Sequence, residues 1–422
     1  ALKENTTASN NVAVGMQALK LNTTGSSVTA IGSFTLDENT TGSSNTAIGS
    51  SALNKNTTGD FNIAVGSNAL CKNVTTDANT AVGYFSLRCN TGANNTAVGM
   101  CSLGANTSGS PNTAMGFQSL SSNTTGSNNT AIGYQSLQSN TSGIRNTAIG
   151  HGTLNLNVSG QCNIAIGQVA LSKNTASNNT AIGANVMEEN TSGTCNTAVG
   201  TCALKTQTTA NQNTAIGMLS MTATTSGIRN VAVGRQSMCA NTTGCCNVAM
   251  GSNALASGTT GDFNVAVGGA ALGSVNTGNC NTAIGACAMH VNTSGAQNTA
   301  VGMCSLSSNT TASNNTAVGR NSMRDTTTGS DNTAVGESSL RENETGCCNS
   351  VLGENAMTTN TSGCYNTSIG SFSLHNNTTA ANNTAVGFES LCANTTGIQN
   401  TAVGALALDA NTTAANNTAL GW

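Results

Sequence analysis

Sixteen cysteines and three histidines are the residues of this 422-residue chain best suited to chemistry of their own. Two cysteine pairs stand 17 residues apart, Cys287 with Cys304 and Cys347 with Cys364. If the chain stacks at that interval, each pair has Cα atoms ~5 Å apart, within reach of a disulfide. Such staples suit an extracellular protein. The stretch Cys287-Ala-Met-His290, with Cys304 nearby, holds three ligands of the kinds zinc takes. It lacks the fourth that a closed zinc site needs, so no metal and no cofactor is expected. His151, His290 and His375 lie far apart. There are no recurring paired carboxylates, no nucleophile elbow in context and no phosphate loop with its lysine. No catalytic residue can be nominated, and the chain reads as a non-enzyme.

The interval of 17 governs far more than the cysteines. Asn45-Thr-Ala-Ile-Gly49 returns as Asn62-Ile-Ala-Val-Gly66, Asn79-Thr-Ala-Val-Gly83 and Asn129-Thr-Ala-Ile-Gly133. The motif has 25 copies, closing on Gly15 through Gly421, and 22 of the 24 intervals are 17 residues. The intervals Gly83 to Gly99 and Gly167 to Gly183 are 16. A fixed short period along a whole chain is the mark of a solenoid. The expectation is an all-β parallel β-solenoid, or β-roll, of about 25 coils. It would form one continuous array over 1–422, with no linker or change of composition. Both ends cut a repeat in mid-coil: Ala1 falls after a missing motif glycine and Trp422 follows Gly421. That suggests a piece of a longer fibre, or a subunit that stacks end to end.

Composition narrows the function classes. Charged residues are 7% and the net charge is −3, so no basic surface invites nucleic acid. No apolar run approaches a membrane span. The single proline, Pro111, suits a backbone spent in hydrogen-bonded ladders.

Within a coil, the residue before the glycine is always Val, Ile, Met or Leu, and the fourth after it is always Leu or Met. Both columns are expected to point inward. Mostly Thr stands three before the glycine and shares a strand face with the residue just before it. A second short strand is expected to begin at the Ser-Leu or Ala-Leu pair. Asn stands four before the glycine in 24 of 25 copies and seven after it in 19 of 24 coils. These structural columns include Asn22, Asn39, Asn45, Asn56, Asn62, Asn79, Asn129 and Asn394. At strand spacing their amides can bond from coil to coil.

The Ala two before the glycine departs only at Val351 and Ser368. It points opposite to its β-branched neighbours and, on this reading, faces outward from the coil. A column that admits only small residues is packed against something. Ala47, Ala64, Ala81, Ala131 and Ala148 are therefore candidates for a seam with identical chains, three being the expected number.

Segments such as Asn129-Thr-Ala-Ile-Gly-Tyr-Gln-Ser-Leu137 followed by Asn140-Thr-Ser-Gly143 resemble the repeats of phage and virus tail-fibre shafts. The core also resembles the head repeats of YadA-like trimeric autotransporter adhesins. The resemblance implies a trimeric β-roll on an extracellular or virion surface. It does not specify a ligand. The self-cleaving chaperone domain and the membrane anchor of such proteins have no counterpart here, and 16 cysteines are many for a shaft.

The functional expectation is a structural fibre supporting attachment. Two alternatives are an adhesin that meets a host glycan or protein through the variable columns, and a self-assembling filament. Asn22, Asn39, Asn106 and Asn394 match the N-glycosylation pattern, although the repeat generates such matches automatically. Ranks of Thr also occur on ice-binding solenoids. Here Val and Ile interrupt the Thr rank, and charges in the variable columns weigh against that role.

Overall fold

The computed structural model describes residues 1–274 and 276–422. It is all-β and has two compact units, Ala1–Asn211 and Gln212–Trp422. The first holds strands β1 (Val12–Val14) to β12 (Thr197–Val199), and the second holds β13 (Thr214–Ile216) to β25 (Thr418–Leu420). Within each unit successive strands pair in parallel with motif on motif. Thr46, Ala47 and Ile48 of β3 (Thr46–Ile48), for example, face Ile63, Ala64 and Val65 of β4 (Ile63–Val65). This is a parallel β-solenoid with a 17-residue coil.

The 16-residue coils keep this register. Thr80 still faces Thr96, and Ile164 still faces Thr180. The missing residue comes out of the turn, where Asn90-Thr-Gly92 and Asn174-Thr-Ala176 replace the longer Asn-Thr-Thr-Gly. A slip inside the strand would have turned every side chain to the wrong face.

Alternation correctly pairs the third and first residues before the glycine on one face, but that face is the outward one. Ile48 is 39% exposed, Met115 41% and Leu352 51%, while Ala47, Ala64, Ala81, Ala131 and Ala148 are 0% exposed within the single chain. The inward placement of the Val/Ile column is thereby corrected, and with it the Ala seam. These methyls already fill the coil interior and have no surface to give to a partner. The column stays small because two walls meet there, with Leu53, Leu70 and Leu137 of the facing wall equally buried. Each buried Leu contributes about 1.5–3 kcal/mol of transfer free energy.

The facing wall also departs from expectation, because among the described residues it contains no second strand. Residues after the glycine form a continuous turn in which the Leu has positive φ: 49° at Leu36, 48° at Leu53, 49° at Leu137. The second residue after the glycine shares this handedness, as at Phe34 (58°) and Gln135 (53°). Such conformations cost L-residues roughly 1–2 kcal/mol each. Backbone bonds between coils hold them in place. Phe34 N–H donates to Met16 C=O at 2.9 Å, Leu36 N–H to Ala52 C=O at 3.1 Å and Glu38 N–H to Asn54 C=O at 3.1 Å.

The corner between the walls is the motif glycine. Gly49 sits at φ 131°, and a Cβ added there would fall 2.7 Å from the Gly66 carbonyl carbon. Only glycine allows both that angle and that approach.

Candidate functional site

Two Asn columns fasten the turns. Asn123 donates from Nδ2 to Asn106 Oδ1 in the preceding coil (2.8 Å) and to Gly126 C=O in its own turn (2.9 Å). Asn140 repeats the pattern on Asn123 at 2.8 Å. The other column works differently: Asn129 N–H donates to Asn112 Oδ1 (3.0 Å), and Asn129 Nδ2 reaches Gly143 C=O in the next coil (2.8 Å). Gly143 C=O also accepts from Asn140 Nδ2 at 3.1 Å, so both columns converge on one carbonyl. Asn45, Asn56, Asn62 and Asn79 occupy the same two rows.

This arrangement bears directly on the glycosylation pattern. Asn22, Asn39, Asn106 and Asn394 are fully buried. Each Nδ2 donates both to the preceding column residue and to its own turn carbonyl. The folded chain cannot carry an N-linked sugar at any of them without losing a buried bond. The first Thr of the turn is also engaged, since Thr40 Oγ1 donates to Thr57 C=O at 3.0 Å and Thr124 Oγ1 to Thr141 C=O at 3.0 Å.

The histidines have similar local roles. His290 Nδ1 lies 3.0 Å from Ala270 C=O, and His375 Nδ1 lies 3.0 Å from Asn355 C=O. Asn54 Nδ2 meets Phe34 C=O at 2.9 Å in the same relation, one coil and three residues back. His290 thus caps a carbonyl. Among the described residues no three His, Cys, Asp or Glu side chains come together to hold a metal ion.

Charged side chains pair between coils in the variable columns, Lys173 with Glu189 at 2.7 Å and Lys55 with Glu38. The Lys55 pKa is raised, mainly by its hydrogen bond to Glu38. Exposed pairs of this kind stabilise little. Their importance here is position, because they leave the outward strand face to Thr, Val and Ile.

A feature not singled out from the sequence is the row Phe117, Tyr134 and His151. Their rings stack at 5.2 Å and 5.1 Å, nearly parallel. Each follows the motif glycine, and three successive aromatic rings at that position were the available signal. Elsewhere Tyr84 and Phe85 bring their ring centroids to 3.9 Å, and Phe61 stands exposed.

Of the cysteine pairs, Cys287 and Cys304 occupy the same place in neighbouring coils, each bonding the preceding coil through its N–H at 3.0 Å. Cys347 and Cys364 do more: their sulfurs lie 2.8 Å apart, both as free thiols.

The candidate surface is therefore the outward strand face, a column mostly of Thr, interrupted by residues such as Ile63 and Val231, beside a column of Val, Ile, Met or Leu that recurs in every strand of each unit. No family model matches this chain, and no curated protein matches it either.

Proposed function

We propose that this chain is the shaft of an extracellular or virion-surface fibre, built from parallel copies of itself that meet along the outward Val/Ile rank. The observation that carries the reading is this rank: apolar in every coil, exposed at residues such as Ile48, Met115 and Leu352 and half-buried at others such as Ile132 and Ile149, on a solenoid whose other groups are largely satisfied within the coil. Contiguous apolar surface on that scale marks an interaction face. The partner that repeats every 17 residues in step with it is another copy, and cyclic symmetry gives a closed bundle, three chains being favoured. The work of such a shaft is mechanical, since strand and turn backbone are tied to the coils on either side.

Light scattering on the native protein, with and without reductant, tests the reading. A mass near three chains is expected, reduced to one chain by Ile132→Glu combined with Ile149→Glu. A wild-type monomer would overturn the proposal. One observation favours a second reading in that event. The Thr and Val/Ile columns share the outward strand face, so thermal hysteresis would then be measured for ice binding. The adhesin reading would gain from binding of the particle to a glycan array.

A further inference from the structure

We infer that Cys347 and Cys364 form a thiol–disulfide pair, and that its oxidised form is a Cys347–Cys364 bond clamping the two neighbouring coils in which the inward Ala column is interrupted. The geometry comes first. Cys347 and Cys364 hold the same place in successive coils, six residues before their glycines. In this column a backbone N–H donates to the side chain of the next coil, as Ser26 does to Ser43 Oγ (3.1 Å) and Cys245 to Asp262 Oδ1 (2.7 Å). Cys347 N–H uses Cys364 Sγ as that acceptor at 3.0 Å, and the Cys347 thiol donates to the same sulfur at 2.8 Å. The parallel ladder sets the two Cα atoms ~4.8 Å apart, inside the range a disulfide bridges.

The second observation is independent of the sulfurs. The inward Ala column departs at two places only, Val351 and Ser368, and these lie in the same two coils, four residues after Cys347 and Cys364. Val351 of β21 (Ser350–Leu352) faces Ser368 of β22 (Thr367–Ile369). The first adds bulk to a site built for a methyl. The second buries a hydroxyl, which spends its bond on Ser373 C=O at 2.9 Å. These are the two places where the interior departs from its regular methyl column, and the added bulk at Val351 is of the kind that strains a close-packed core. A covalent bond between these coils would hold them together where that column is interrupted.

Exchange needs only the two aligned thiols, and the neighbouring Cys348 is the competitor that the test removes. Cys348 is exposed and adjoins both Cys347 and Tyr365. With a low-molecular-weight disulfide as oxidant, the Cys364 thiolate attacks one sulfur and releases one thiolate. Cys347, deprotonated, then attacks the mixed disulfide and releases the second. Two thiols have lost two protons and two electrons, and the oxidant has become two thiols. In the reverse direction a low-molecular-weight thiolate attacks the Cys364 sulfur and releases Cys347, and a second thiolate then frees Cys364 and leaves as the low-molecular-weight disulfide.

Oxidised glutathione added to the native, pre-reduced full chain tests this. After alkylation of the remaining thiols and denaturation, cleavage at Glu344, Glu354 and Glu389 gives peptides 345–354 and 355–389. The expected product is these two joined by one disulfide, in the wild type and in Cys348→Ser but not in Cys347→Ser. Oxidation should also raise the thermal midpoint of the wild type and of Cys348→Ser, leaving Cys347→Ser unmoved. Two alkylated, unlinked peptides would overturn the inference. So would an internal Cys347–Cys348 bond, or a link that survives in Cys347→Ser.

Discussion

On one wall of the coil the backbone is a strand of three or four residues whose inward side chain is Ala in all but two coils. On the other, among the described residues, it is a turn with no strand, whose inward side chain is Leu or Met at φ near 49°. Both walls are bonded coil to coil, so the contrast lies in how size is shared. Where the backbone is extended and paired, two residues in three point out and the third must be small. Where alternate residues adopt left-handed φ, the wall curls and directs one large side chain into the space the Ala leaves. The interior is therefore asymmetric, and its two columns tolerate different changes.

The largest expected effect comes from the Leu wall. Leu137→Ala removes a fully buried side chain and should cost about 2–5 kcal/mol. In a solenoid that loss is local first, so hydrogen exchange should rise in the coils around 137 before the midpoint of denaturation shifts. Equal exchange along the chain would contradict the nearest-neighbour picture.

On the strand wall the informative experiment is a pair. Ala131→Leu should cost about 1–3 kcal/mol by overpacking, while Ile132→Leu, one residue along and facing out, should stay within about 0.5 kcal/mol. The opposite ranking would restore the Ala column to the surface.

A smaller effect, of opposite sign, is available where the Asn column fails. Asn309 Oδ1 is buried without a partner, and the next coil offers Thr326 in place of Asn. Thr326→Asn should stabilise by about 1 kcal/mol, read by urea denaturation, since a buried unpaired acceptor costs about 1–3 kcal/mol.

The smallest effect concerns pH. The Cys347 thiol is pushed up to about 12, first by its hydrogen bond to Cys364 and then by burial. Folding thus favours the protonated thiol. The stability this contributes is complete below the ordinary thiol value of 9.0 and is lost as pH rises toward about 12. Denaturation of the reduced chain across that window should show the loss, and Cys364→Ser should lack it.

Much of this was legible from residue spacing. The 17-residue interval gave the coil and its parallel register, and the repeated Thr-Ala-Val gave the strand. What misled was hydrophobicity. Val and Ile look like core and Ala looks indifferent, so alternation was read in the right period and assigned to the wrong face. The invariance of Ala carried the correct clue, because a thin interior restricts size more severely than it demands apolarity. The left-handed Leu had no local signal at all. Leucine does not prefer positive φ, and only bonds to the coils above and below impose it.

The Asn123-type column also has a direction. Where it is intact, as over Asn106, Asn123 and Asn140, each amide nitrogen points to the coil before and each oxygen to the coil after, so the row adds up like aligned magnets. A gap then leaves unlike poles. Before Thr326 the unmatched atom is an oxygen, on Asn309, and after Gly258 it is a nitrogen, on Asn276. These two faults are polarised in opposite senses, so a water molecule that donates at the first and accepts at the second is the natural splint for each.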